Sequence, residues 1–195
     1  MLRFLDILFS LFGLILLSPF FFIIAVCILY DSKGGVLYKQ TRVGKDGVDF
    51  QLYKFRTMAV GSDKGSLITI GARDNRITKI GYFLRKYKLD ELPQLINVLR
   101  GDMSLVGPRP EVRKYVDLYD DNQMKVLQIR PGITDYASIK FRNENELLEK
   151  AADPDKIYIE QIMPEKISYN MQYINNCTIT EYFKIIFRTL FIILK

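Results

Sequence analysis

Two adjacent carboxylates, Asp90 and Glu91, and an arginine held between prolines, Arg109, are the residues best suited to chemistry in this 195-residue chain. They sit at the two ends of the run Leu-Asp-Glu-Leu-Pro-Gln-Leu-Ile-Asn-Val-Leu-Arg-Gly-Asp-Met-Ser-Leu-Val-Gly-Pro-Arg-Pro, residues 89 to 110. The combination suits a phosphate. A carboxylate can act as nucleophile or metal ligand, a helix start favours an anion, and a proline-flanked guanidinium has little freedom left to lose. Arg130, in Ile-Arg-Pro-Gly-Ile-Thr, repeats the arginine–proline device. By themselves, the aspartate reads more often as a plain helix cap and the arginines as surface ion pairs, so the run alone leaves the chemistry open. The chain has no histidine, which removes Ser-His-Asp and Cys-His nucleophiles and histidine-ligated zinc. Cys27 and Cys177 show no metal spacing and read as free thiols of a reducing compartment. Any catalysis must rest on carboxylates, arginines, lysines and, where needed, a divalent ion.

The elements that must position these groups follow from the pattern around them. Asp90 reads as the N-cap of a short helix with Pro93 in its first turn. Leu92, Leu95, Ile96 and Leu99 make its apolar face, and Gly101 stops it. Residues 36 to 58 are strand-like, with turn signals at Lys33-Gly34-Gly35 and Lys45-Asp46-Gly47. Residues 61 to 71 read as a loop. Ile77, Ile80, Leu84 and Tyr87 then form one face of a basic helix just ahead of Asp90. Short helices are expected over 111–119, 121–128 and 143–152, with Asp153-Pro154 and Met163-Pro164 breaking the pattern afterwards. Mixed helix and short strand predicts an α+β catalytic domain.

That domain, residues 31–178, lies between two apolar ends, 1–30 and 179–195. Residues 4 to 30 are nearly all apolar, broken by Asp6, Ser10 and Ser18-Pro19. A straight helix of that length runs about 40 Å at ~1.5 Å per residue, enough to cross a hydrocarbon core. Two topologies stay open: a span, or a helix bent at Ser18-Pro19 that leaves on the side it entered. Lys33, Lys39, Arg42 and Lys45 mark the side after it as cytoplasmic. In 179–195, Glu181, Lys184, Arg188 and Lys195 share one stripe, which suits a helix in the membrane interface. A helix packed on the protein's own core is the alternative. The formal charge of +6, without a nucleic-acid motif, suits anionic lipid and phosphorylated substrates. A basic module that merely recruits lipid would explain the charge and both ends, but it leaves Asp90-Glu91 beside Gly-Pro-Arg-Pro without a task.

Several ordered blocks resemble the bacterial sugar transferase family, the monotopic phosphoglycosyl transferases. They are Arg3-Phe-Leu-Asp6, Ser18-Pro19, Tyr53-Lys-Phe-Arg-Thr-Met58, the run 89–110, Arg130-Pro-Gly-Ile-Thr134 and Tyr173-Ile-Asn-Asn176. The resemblance implies transfer of a sugar 1-phosphate from a UDP-sugar to polyprenol (undecaprenyl) phosphate, giving polyprenyl diphosphate sugar and UMP. It implies a ping-pong course through a phosphosugar on Asp90, at the first membrane step of polysaccharide or glycoconjugate assembly. Glu91 would assist, with Mg2+ held at Asp90 and Glu91, and Lys54, Arg56, Arg109, Arg130 and Arg142 would contact phosphates. Ser18-Pro19 would kink the membrane helix and make it re-entrant, with the catalytic domain on the cytoplasmic face of the bacterial inner membrane. Anionic membrane lipid is an expected partner and nucleic acid is not. The chain departs from the family where Asp135-Tyr136-Ala137-Ser138 replaces the frequent Gly-Trp-Ala-Gln, and where Asn170 replaces a frequent aspartate. Larger relatives carry extra amino-terminal spans, so this chain is expected to be the minimal catalytic form. Neither the sugar nor the oligomeric state is readable.

Overall fold

The structure, a computed structural model, describes residues 1–62, 75–149, 151 and 153–194. The chain opens with a 30-residue helix, α1 (Leu2–Asp31), which runs without interruption through Pro19. Pro19 has no N–H to give the preceding turn. The Ser18 hydroxyl donates to the Ile15 carbonyl at 2.8 Å within that turn. Strands β1 (Leu37–Val43) and β2 (Asp49–Phe55) then form an antiparallel hairpin, with Leu37 opposite Phe55 and Val43 opposite Asp49. Its turn, Lys45–Gly47, is the one the sequence signals. Most of the loop expected at 61–71 lies outside the described residues.

The basic helix forms as α2 (Lys79–Lys86), capped by the Thr78 hydroxyl, which accepts from the Gly81 N–H. Next come a 3-10 turn at Leu89–Glu91, α3 (Gln94–Arg100) and β3 (Ser104–Val106). Here the structure corrects the sequence reading. Lys88, with φ of +57°, turns the chain before Asp90, and Asp90 sits inside the 3-10 turn instead of capping a helix. The buried side of α3 is Gln94, Leu95, Asn97 and Val98: Leu95 is buried as expected, but Ile96 and Leu99 are only half-buried and two amides share the buried side. Asn97 explains its own burial. Its Oδ1 accepts from the Tyr53 N–H at 2.9 Å, and its Nδ2 donates to the Gln51 carbonyl at 2.7 Å. One side chain thereby pairs α3 with the backbone of β2. Gly101, with φ of +96°, ends α3 as expected.

The later part is helical and more broken than the sequence suggests: α4 (Arg113–Val116), a 3-10 segment at Gln123–Gln128, β4 (Gly132–Thr134), α5 (Tyr136–Lys140) and α6 (Glu144–Glu149). Strand β4 pairs parallel with β3. The two prolines expected to break helices instead open them. Pro154 starts α7 (Pro154–Ile157), and Pro164 lies in the first turn of α8 (Met163–Asn175), where a missing N–H costs little. A π-helical turn, Tyr158–Ile162, joins the two. The last helix is α9 (Ile179–Leu194). It docks one face on the body, with Tyr182 and Ile185 fully buried beside Val106 and Tyr173, while Phe187, Leu190 and Phe191 stay exposed.

Helix α1 is attached to the same body at both ends. Near its start, Arg3 donates to the carbonyls of Leu99 and Met103 at 3.2 and 3.3 Å. Buried Asp6 accepts from the Ser104 hydroxyl, the Leu105 N–H and the Tyr182 hydroxyl at 2.8 to 3.0 Å. Near its end, Ile28 is buried with Phe55 and Leu84, and Asp31 accepts from the Ile80 N–H at 2.9 Å. Between these points Phe4, Phe12, Ile15, Leu16, Phe20 and Phe22 face outward and exposed.

Candidate active site

The two carboxylates meet opposite surroundings although they are neighbours in one turn. Glu91 is clamped. Arg109 forks onto it, with Nη1 donating to Oε2 at 3.0 Å and Nη2 to Oε1, and the Lys54 ammonium reaches Oε1 at 3.0 Å. Burial alone would raise the Glu91 pKa, but Arg109 and Lys54 outweigh it and hold the carboxyl well below its usual range. Asp90 is 6% exposed, and its Oδ1 is buried without a hydrogen-bond partner among the described residues. Burial raises its pKa, and the Glu91 charge pushes the same way. The cations respond in kind: burial lowers Lys54 despite Glu91, while Glu91 raises Arg109.

The geometry follows from the elements. Lys54 is on β2, and Asn97 bonds to the strand backbone just before it, at Gln51 and Tyr53. That sets the strand against the Asp90–Glu91 turn. Arg109 follows β3 in the Pro108-Arg109-Pro110 turn, which is pinned from behind. The Asp135 carboxylate accepts from the Arg109 N–H at 2.9 Å and also caps α5 at Ser138. The Gly132 N–H donates to the Pro108 carbonyl at 2.9 Å. Arg42 donates to the Pro110 carbonyl at 3.0 Å and to Glu111 at 3.2 Å, and the Tyr158 hydroxyl donates to the other Glu111 oxygen. Burial lowers the Arg42 pKa against the pull of Glu111.

Of the five cations expected at phosphates, the structure brings Lys54 and Arg109 together at Glu91. The other three sit at helix ends. Arg56 donates to the Ser32 carbonyl at 2.7 Å and to Lys33, just past α1. Arg130 donates to the Gly101 carbonyl at 2.9 Å, just past α3, and Arg142 to the Ile192 carbonyl at 2.6 Å, in the last turn of α9. Carbonyls left free at helix C-termini attract cations, which accounts for all three. Sequence reasoning did not single out Asp135, Arg42, Glu111 or Tyr158 as supports of Arg109. Asp135 lay in the segment 135–138 that departs from the resemblance, but no role was read from it.

The carboxylate turn with its arginine fork thus shares one body with a helix long and apolar enough to cross a membrane. The family model for bacterial sugar transferases matches residues 1–195, and the chain belongs to that family. A UDP-glucose:undecaprenyl-phosphate glucose-1-phosphate transferase of Klebsiella pneumoniae is 40% identical over 95% of this chain and 38% of its own length. A UDP-N-acetylgalactosamine-undecaprenyl-phosphate N-acetylgalactosaminephosphotransferase of Aeromonas hydrophila is 38% identical over 96% of the chain and 42% of its own. The exopolysaccharide production protein ExoY of Rhizobium meliloti is 33% identical, covering 95% of this chain and 81% of that protein. The chain thus spans about two fifths of the length of the first two relatives.

Proposed function

We propose that the chain transfers a sugar 1-phosphate from a UDP-sugar to undecaprenyl phosphate in two steps on Asp90. The observation that carries this reading is the buried, unpartnered Asp90 oxygen beside a Glu91 already neutralised by Arg109 and Lys54. An ionised carboxylate held without hydrogen-bond partners is a stronger nucleophile than a solvated one. Asp90 Oδ1 attacks the sugar-bearing phosphorus, that phosphorus parts from the oxygen of UMP, and UMP leaves. A phosphate oxygen of the polyprenol carrier then attacks the same phosphorus and releases the Asp90 carboxylate, giving polyprenyl diphosphate sugar. Arg109 and Lys54 lie where they can turn from Glu91 toward the phosphates and carry the charge that builds there.

Of the two carboxylates expected to hold Mg2+, Asp90 is the one with an oxygen to offer. Mg2+ binds through one or two carboxylates, keeps several waters and takes substrate phosphate oxygens. Asp90 has an oxygen without a partner among the described residues, whereas both Glu91 oxygens are taken by Arg109 and Lys54, so Glu91 would join the ion only where those cations turn to the phosphates. Bound there, the ion would neutralise phosphate charge.

The topology belongs to the same reading. Both ends of α1 bond to one body, so a helix spanning the bilayer would drag charged surface into lipid. A helix dipping into one leaflet with its ends on the cytoplasmic face meets every contact. The lipid acceptor then approaches from the membrane side and the nucleotide from water, which suits a reaction split in two.

Isotope exchange tests the mechanism. Wild-type protein with its UDP-sugar and Mg2+, but no lipid, should exchange labelled UMP into the nucleotide sugar, and Asp90→Asn should not. Turnover with polyprenol phosphate in the absence of exchange would mean direct transfer, leaving Asp90 a ligand or base.

A further inference from the structure

Gln94 is 1% exposed, and its Nε2 is buried without a hydrogen-bond partner among the described residues. A buried donor left unpaired is unfavourable, so its position asks for an acceptor. The backbone says which side chains lie beside it. From Leu89 to Arg100 the chain keeps right-handed helical turns. The Leu92 N–H donates to the Leu89 carbonyl, the Leu95 N–H to Leu92 and the Ile96 N–H to Pro93, and Leu92 and Pro93 both have helical φ and ψ. Residues three and four apart on such a path are side-chain neighbours. Gln94 follows Glu91 by three residues and Asp90 by four, and it precedes Asn97 by three. Asn97 bonds to β2 at Gln51 and Tyr53. Gln94 therefore lies on the β2 side of this segment, between Asn97 and the two carboxylates, and Lys54 follows Tyr53 on that strand.

Neither carboxylate takes up the amide. Both Glu91 oxygens are held by Arg109 and Lys54. Asp90 Oδ1 is itself unpartnered, so an acceptor and a donor, both shut from solvent, stand one turn apart without bonding each other. A cation would satisfy Oδ1 but repel the Nε2 hydrogens. A transferring phosphoryl group answers both atoms at once: its phosphorus takes Oδ1, and one of its anionic oxygens accepts from Nε2. Because both atoms are buried together, whatever opening admits a phosphate to the one brings it beside the other.

Resting on the two-step reaction proposed above, we infer that Gln94 is a further catalytic residue. Its amide donates to a non-bridging oxygen of the phosphoryl group while the bond from Asp90 Oδ1 to phosphorus forms and the bond to the UMP oxygen breaks. The amide gives up no proton. It acts as a fixed neutral dipole aimed at oxygens whose charge changes in the transition state. Its advantage over Arg109 and Lys54 is that it has no ion pair to leave first.

The test compares the unaltered protein with Gln94→Met, which keeps the length of the side chain and removes its donor. Both are reconstituted in lipid. The nucleotide sugar is whichever of UDP-glucose, UDP-galactose, UDP-N-acetylglucosamine and UDP-N-acetylgalactosamine releases UMP with undecaprenyl phosphate. Without that acceptor, exchange of labelled UMP into the nucleotide sugar should slow roughly 10-fold or more in Gln94→Met at saturation, with half-saturation nearly unchanged. The melting temperature should hold or rise, because methionine removes an unpaired buried donor. Gln94→Asn, an amide one carbon shorter, should exchange faster than Gln94→Leu, and this pair decides the matter if the methionine variant folds poorly. A lower melting temperature with unaltered exchange assigns the amide to packing or to a buried water and overturns the inference. A change in half-saturation alone makes Gln94 a ground-state contact and overturns its catalytic role. Exchange by the unaltered protein that Gln94→Met matches removes this role alone. Turnover with undecaprenyl phosphate by an unaltered protein that never exchanges UMP removes the Asp90 intermediate and this role with it.

Discussion

Asp90 and Glu91 differ by one bond along the backbone and by the sign of what surrounds them. Glu91 is stabilised as an anion, whereas ionised Asp90 is held at a cost to the fold. The Asp90 pKa is raised in the folded chain, so the native state takes up that proton more readily than the unfolded one. Ionisation therefore removes stability as pH rises from the ordinary aspartate value, ~3.9, through the raised one. Asp90→Asn should accordingly melt higher than wild type at pH 7, and the gain should vanish below about pH 4. Thermal melts across pH read this directly, and a variant that melts lower at pH 7 would show that the carboxylate is satisfied. Arg109→Lys keeps the charge but loses the planar fork on Glu91, so kcat/KM should fall by about 100-fold or more. Near-normal UMP release would exclude Arg109 from the site. Both residues were legible in the sequence because their neighbours are unusual: an acidic pair, and an arginine between prolines. The partners of Arg56, Arg130 and Arg142 were not, because which carbonyl an arginine finds is settled by helices distant in sequence.

Among elements, the contact of β3 with β4 sets the height of the Arg109 turn. A Cβ on Gly132 would lie 2.1 Å from the Gly107 nitrogen and 2.5 Å from its oxygen, and backbone atoms cannot swing away. Gly132→Ala should cost about 1–3 kcal/mol. Because the Gly132 N–H holds the Pro108 carbonyl, the variant should lose turnover at temperatures where it is still folded. Melts and UMP release taken together check this, and wild-type activity in a destabilised variant would uncouple the strands from Arg109. The hairpin, α1 and α2 were readable because their turns, caps and apolar runs are local signals. Helix α9 was half readable. Its cation stripe suggested a membrane surface, but Tyr182 and Ile185 are core residues that only tertiary packing reveals. Removing residues 179–195 would therefore open the core as well as loosen any hold on lipid. The amide side of α3 was illegible, since Asn97 serves a strand 44 and 46 residues earlier in the chain.

At the scale of the whole molecule, the long apolar helix and the catalytic body share one set of bonds. On the proposed topology, single cysteines placed at Met1 and Lys33 should resist impermeant thiol reagents in intact cells and react once the cytoplasmic face is opened. Labelling of residue 1 from outside would mean that the helix spans. The double attachment has a further consequence for how the protein acquires its stability. Ile28 helps fill a core with Phe55 and Leu84, while the opposite face of the same helix asks for hydrocarbon. On the proposed topology one helix face is buried by folding and the other by immersion, so the two events are thermodynamically linked. On the same topology lipid is a ligand of the native state, so its effect on the melting temperature should grow with lipid-to-protein ratio as that of any bound ligand does.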